Sequence, residues 1–507
     1  MEIGDSGLQG VVMAKAIMIQ GTMSNAGKSF LVAGLCRLFQ RDGFRVAPFK
    51  SQNMALNSYV TADGCEIGRA QAVQAEACGL LPDVRMNPIL LKPVTDMGSQ
   101  VILMGKSAGI MKADEYYRKK KEYIPLIRDA YESLAAENDI IVIEGAGSPV
   151  ELNLKENDIV NMGMAEIADS PVILVGDIDR GGVFAQLYGT CALLEPHEKE
   201  RIVGLIINKF RGDIGLLTGG LETLEQLTGK RVLGVVPYMD VRMEAEDSLA
   251  DCLQEKPSGD GTPAGIDIAV IRFPRISNFT DFQPLSGEPG VRVRYVGTMD
   301  ELGSPDLIIL PGTRSTMKDL GWFRECGLME AVLGIHGKGT PVLGICGGYQ
   351  MLGTRIEDPD GQEGSGFMAG LCLLPAVTVF KAEKVTRQAA GRTAVTGILS
   401  LDGLPLEGYE VHQGRTFSDG ASPFAVLDGA ADGCVSGLVF GTYLHGLFDS
   451  DPFRRSFLEW LAVRKGVSLP DSGLNYRTGR GRQYDRAAEI LRSSIDLEAV
   501  YRFMGIQ

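Results

Sequence analysis

The sequence has nine cysteines, at positions 36, 65, 78, 191, 252, 326, 346, 372 and 434, but no C-x-x-C pair. That spacing builds neither a zinc site nor a disulfide framework, and it suits a reducing cytoplasm, the expected location. No apolar run reaches membrane-spanning length, so no membrane partner is expected. Basic residues number 50 against 64 acidic, and a net charge of −14 argues against general attraction to nucleic acid or an anionic surface. An anionic small ligand in a local basic pocket stays open. There is no internal repeat, which excludes solenoid and propeller architectures. The first fifteen residues lack the basic and apolar regions of a secretory signal and read as a ragged extension. Histidine is scarce as well: with four in the chain, an imidazole base has few candidates.

What is present is abundant α/β patterning. A chain of 507 residues exceeds what one hydrophobic core normally serves, so two or three domains are expected. Strand-like runs (AIMIQ, RVAPFK, DIIVIEG, PVILVGDID, IVGLIINKF, VLGVVPY) alternate with amphipathic helical stretches. That alternation predicts a mostly parallel, doubly wound sheet over residues 1–250. Residues 251–265, rich in Gly, Pro and charge, read as a linker. A second α/β series occupies 266–465, with IDIAVIRFP, VRVRYVG, DLIILPG and TPVLGIC as strands and AVTVF, LEGYEVHQGRTF and LVFGTYLHG as antiparallel ones. The tail, 466–507, has the apolar spacing of a packed terminal helix.

Near the start, "GTMSNAGKS" joins an apolar strand to an amphipathic helix. Backbone amides from Gly21, Thr22, Asn25, Ala26 and Gly27 can face a phosphate there, Lys28 adds a point charge, and Ser29 can hold Mg²⁺. The first glycine stands one place earlier than in the common G-x-x-x-x-G-K-[ST] loop. Two later strands end in acids, Glu144 and Asp177, where a sheet of this kind binds its ligands, and both are candidates for the metal. Asn208, at the end of another strand, can read an adenine edge.

In the second half, Gly344-x-Cys346-x-Gly348 sits between a strand and a helix, as in a nucleophile elbow with Cys in place of Ser. The Gly347 amide, with that of Gly312 in "LPGTRST", can form an oxyanion hole. The thiol needs a base. His445, at the end of an apolar run, is chosen over His412, its rival; His197 and His336 lie in surface-like segments.

Together these stretches resemble the cobyric acid synthase family, glutamine-dependent amidotransferases of cobalamin synthesis. The likeness covers almost the whole chain and rests on "APFKSQNMALNS", "EIGRAQAVQAEA", "MNPILLKP", "EGAGSPVELNL", "DIDRGGVFA", "RISNFTDF", "GICGGYQMLG", "YEVHQGRT" and "GTYLHGLF". It implies a dethiobiotin synthetase-like P-loop domain, in which the early glycine is usual, followed by a flavodoxin-like class I glutamine amidotransferase domain. It implies ATP, Mg²⁺ and glutamine as co-reactants, with no tightly bound organic cofactor. The implied substrate is adenosylcobyrinic acid a,c-diamide, amidated at its b, d, e and g carboxylates. Lys50, Gln52 and Asn53 are then the expected substrate contacts. The usual His-x-Glu end of the triad is absent, since His445 is followed by Gly446 and Leu447. Glu410 and Asp449 are the candidate orienting acids. The alternatives are a cobyrinic acid a,c-diamide synthase, or a P-loop ATPase switch, which would need no thiol elbow.

Overall fold

The computed structural model describes residues 14–95, 98–239, 241, 265–364, 366–471, 473 and 475–506. The N-terminal extension up to residue 13 and the linker, except Gly265, lie outside the described residues.

The six strand-like runs of the first half form one parallel sheet in the order 232–237, 202–210, 172–177, 15–21, 140–144, 46–49. Their Val/Ile-rich sequences fit strands covered on both faces. Lys15–Gly21 is the central strand, between Ile140–Glu144 and Val172–Asp177. Chain order reverses at this strand, so the carboxyl ends of all three open onto the crevice where such sheets bind ligands. Between the sheet strands Val46–Phe49 and Ile140–Glu144 the chain adds a hairpin, Ser58–Val60 with Glu66–Gly68. The same stretch adds a four-stranded sheet of Gln52–Met54, Ile89–Thr95, Gly98–Leu103 and Lys106–Lys112. Both additions reach toward the second half.

The second half has a central sheet in the order 291–296, 266–271, 307–310, 342–345, 439–442, 434–436. Here one expectation is corrected. Within LVFGTYLHG, Val439–Thr442 runs parallel to Val342–Ile345 and antiparallel only to the short edge strand Cys434–Ser436. Its position beside the nucleophile strand, inside the sheet, explains its unbroken apolar sequence. AVTVF and LEGYEVHQGRTF do pair antiparallel, within the long strands Ala376–Ala394 and Asp402–Ser418.

The helix Asp451–Lys465 packs into the second core through Phe453, Phe457, Leu458 and Leu461. The tail does not. Tyr476–Ser494 and Leu497–Phe503 return to the first half, where Tyr484, Ala488, Leu491 and Val500 join Ile17, Ile19, Leu35 and Val175 in one core. A Cβ at Gly34 would lie 2.6 Å from Leu491 Cδ1, so any larger residue would push the buried Leu491 side chain aside. Among the described residues no helix is long and apolar enough to cross a membrane.

Candidate active site

The loop "GTMSNAGKS" follows the central strand, and two residues give it its shape. Asn25 and Gly27 adopt positive φ (60° and 94°), and a Cβ at Gly27 would fall 2.1 Å from Asn208 Nδ2. Glycine is thus required at 27 on both backbone and packing grounds. The early Gly21 has a different reason: a Cβ there would sit 3.0 Å from Met23 O and 3.1 Å from Lys28 Nζ. Lys28 folds back over the loop, donating to Met23 O (3.0 Å) and Gly147 O (3.2 Å). Ala26 O accepts from Asn208 Nδ2 at 2.9 Å, so the buried Asn208 fastens the loop from below.

Glu144, almost fully buried at the end of its strand, gathers three donors. Ser29 Oγ and Lys50 Nζ each donate to Oε1 at 2.8 Å, and Gln74 Nε2 donates to Oε2 at 2.5 Å. Ser29 and Glu144 thus present hard oxygen donors side by side at the helix start, which fits Mg²⁺, an ion that takes few protein ligands and fills the rest with water and phosphate. Asp177 is differently engaged: its carboxylate accepts from Lys209 Nζ at 2.8 Å and from the Asp179 amide at 2.9 Å, across the central strand from Glu144. The expected substrate residues also divide. Lys50 is turned to Glu144, and Asn53 is buried with its amide on Gln71 (2.9 Å). Gln52, half-buried, accepts from Tyr116 Oη at 2.6 Å.

In the second half Cys346 has φ 51° and ψ −111°, a strained conformation for a non-glycine residue. Its neighbours explain the G-x-C-x-G spacing. A Cβ at Gly348 would lie 1.9 Å from Leu310 O, and one at Gly344 would lie 2.7 Å from the Gly348 backbone. Only glycine lets the helix Gly347–Leu352 start this close to the strands. Gly312 borders the same point: its Cβ would meet His445 Cε1 at 3.2 Å. The Gly347 amide opens the helix, so it has no carbonyl four residues back to bond.

His445 is buried, and its Nδ1–H donates to Asp281 Oδ2 at 2.7 Å; the Gly446 amide donates to the other carboxylate oxygen at 3.2 Å. This corrects the candidate acids. Glu410 is held by Arg387 Nε at 2.5 Å, and Asp449 lines a cavity of about 680 Å³ between the halves. Burial opposes the imidazolium, but the Asp281 carboxylate and then the Cys346 sulfur outweigh it and push the His445 pKa up to about 10. Among the described residues Nε2 has no partner within hydrogen-bond geometry. The rival His412 donates from Nδ1 to Gly414 O (2.7 Å) and stacks on Tyr443 at 3.7 Å, and burial pushes its pKa down to about 4.

Residues 17–249 match the CobQ/CobB/MinD/ParA nucleotide binding domain family, and residues 267–453 match the CobB/CobQ-like glutamine amidotransferase domain family. The chain is 51% identical over 502 residues to the cobyric acid synthase of Salmonella choleraesuis strain SC-B67, covering 97% of this chain and 99% of the relative. Over 504 residues it is 51% identical to that of Salmonella typhi, with the same coverage. The chain belongs to the cobyric acid synthase family. Among solved structures, a glutamine amidotransferase is similar at 19% identity, covering 39% of this chain and 98% of that one, with a TM-score of 0.29.

A family member that hydrolyses glutamine in one domain and uses a nucleotide in the other needs the two in contact, and the hairpin Ser58–Val60 provides one such contact. Buried Ser58 donates its amide to Asn278 Oδ1 (3.1 Å), accepts at its carbonyl from Tyr409 Oη (3.0 Å) and accepts at Oγ from Lys92 Nζ (2.6 Å). Tyr409 in turn stacks on His445 with centroids 5.3 Å apart. Nearby, Glu66 bridges Lys92 of its own domain and Lys384 of the other. Nothing in sequence spacing pointed to Ser58, Glu66, Lys92 or Asp281 as partners, although all four lie in the stretches that carry the family resemblance. Each meets its partner only when the strand ends converge.

Proposed function

We propose that this ligase converts adenosylcobyrinic acid a,c-diamide to adenosylcobyric acid, amidating the b, d, e and g carboxylates, with one glutamine and one ATP consumed at each. The observation that carries the residue-level reading is the Asp281–His445 bond placed beside a strained Cys346. Asp281 fixes the proton on Nδ1 and leaves Nε2 for the reacting groups. The Cys346 thiolate attacks the glutamine amide carbon, and the Gly312 and Gly347 amides receive the oxyanion. The His445 imidazolium gives its proton to departing ammonia, and water then releases glutamate from the thioester.

In the nucleotide domain, Lys28 and the loop amides hold the ATP phosphates. Ser29 and Glu144 would hold Mg²⁺, which supplies charge to neutralise the phosphates when bound. Lys50, beside the same carboxylate, adds a cation where the γ-phosphoryl group leaves. A corrinoid carboxylate accepts that group, and ammonia displaces phosphate from the acyl phosphate. Ammonia must reach it before water does, which the buried domain contact through Ser58 favours.

The test is mass spectrometry of the products formed from the a,c-diamide, glutamine and ATP. Four successive replacements of oxygen by NH are expected. A reaction that instead takes cobyrinic acid and stops after two replacements would support the a,c-diamide synthase.

A further inference from the structure

Arg314 follows Gly312 and Thr313 on the loop that borders the thiol centre. A Cβ on Gly347 would lie 2.7 Å from Thr313 Cγ2, and one on Gly312 would lie 3.2 Å from His445 Cε1. The guanidinium is therefore tethered two residues from the oxyanion site. Its Nη2 donates to Gln100 Oε1 at 2.9 Å, across the domain boundary. Its Nε is buried and donates to nothing, and among the described residues no carboxylate lies within ion-pair distance of it. Burial pulls its pKa down to about 10, while Glu363 and the Cys346 sulfur act on it from farther off.

A guanidinium partly withdrawn from water without an anion is costly, and several other buried or half-buried cations of this molecule have one. Lys92 and Lys384 share Glu66, Arg294 has Asp267, and Arg454 has Glu288. Glutamine supplies what Arg314 lacks. With its γ-amide on Cys346, a short aliphatic chain carries the α-carboxylate to the neighbouring wall, and the planar fork of an arginine matches a carboxylate with two hydrogen bonds. We propose that Arg314 binds the α-carboxylate of glutamine and that Gln100, itself held by Ser107 (3.1 Å) on the nucleotide domain, positions it. The glutamine site is then completed by the other domain, so glutamine affinity reports on whether the two are docked.

The inference rests on the glutaminase reading, and the test separates the two. The full-length protein is assayed for ammonia release from glutamine and from 4-aminobutanamide, which lacks the α-carboxylate. The wild type should prefer glutamine in kcat/KM by about a hundredfold. Arg314→Met should bring that preference toward unity by losing glutamine turnover alone, and Arg314→Lys should restore part of it. A folded Arg314→Met protein that keeps the wild-type preference overturns the assignment. Gln100→Ala should raise KM for glutamine and leave that for the analogue unchanged; an equal rise for both overturns the positioning role. Failure of the wild type to hydrolyse glutamine at all would strike the glutaminase reading itself.

Discussion

His445 Nδ1 lies 2.7 Å from Asp281 Oδ2, although the two residues stand 164 positions apart. The bond selects the imidazole tautomer and raises its proton affinity, and in the proposed mechanism Asp281 takes the place of the missing His-x-Glu acid. Asp281→Asn should lower glutamine-dependent turnover by roughly 10³-fold or more, measured as glutamate release.

The same pair sets a pH dependence. His445 has its pKa raised to about 10, so the imidazolium persists through neutrality and is lost as pH rises through that value. The alkaline limb of glutaminase kcat/KM should therefore lie near pH 10, and in Asp281→Asn it should move down toward the ordinary histidine value. By linkage, the stability the ion pair contributes is fully present below the unfolded histidine pKa and fades as pH climbs through the folded one. A wild-type limb near the ordinary value would contradict the assignment.

Cys346→Ser should abolish synthesis with glutamine while amidation driven by added ammonium salt continues. Loss of both activities in a folded variant would show that the division of labour between domains is wrong.

Glu144→Gln should stop ATP-dependent amidation and leave glutamine hydrolysis measurable. It also removes one ion-pair partner from Lys50, which is 5% exposed. Removing one partner of a buried pair costs about 3–5 kcal/mol, to be read as a lower urea midpoint. Combining it with Lys50→Met should recover stability without recovering amidation.

Much of the fold was legible because each buried strand is a short apolar run, and each of the two chemical motifs sits on a glycine whose Cβ would collide with its neighbours. Gly27 and Gly348 show this directly. What was hidden depends on distance in the chain. The parallel direction of Val439–Thr442 is set by the strand beside it, and Asp281 is an ordinary loop acid until the turn Phe279–Phe282 brings it under His445. Asn208 could be read as an adenine contact or as a strand end; its bond to Ala26 O gives it a share in shaping the loop.

The tail adds a stability prediction. Leu491 is fully buried among residues of the nucleotide domain, so Leu491→Ala should cost about 2–5 kcal/mol. Hydrogen exchange should register the loss in the strand Lys15–Gly21 and leave Leu307–Leu310 protected.

That returning helix also governs how the enzyme could be divided or opened. Cutting the chain between the two matched domains would leave the N-terminal piece with an uncovered sheet face and send its missing cover away on the other piece. The fragments would have to find each other to finish folding, one lending the other a segment, as in a clasp. For the intact enzyme the clasp works against wide separation: swinging the amidotransferase domain far from the nucleotide domain would strain the connection to a helix anchored in the partner's core.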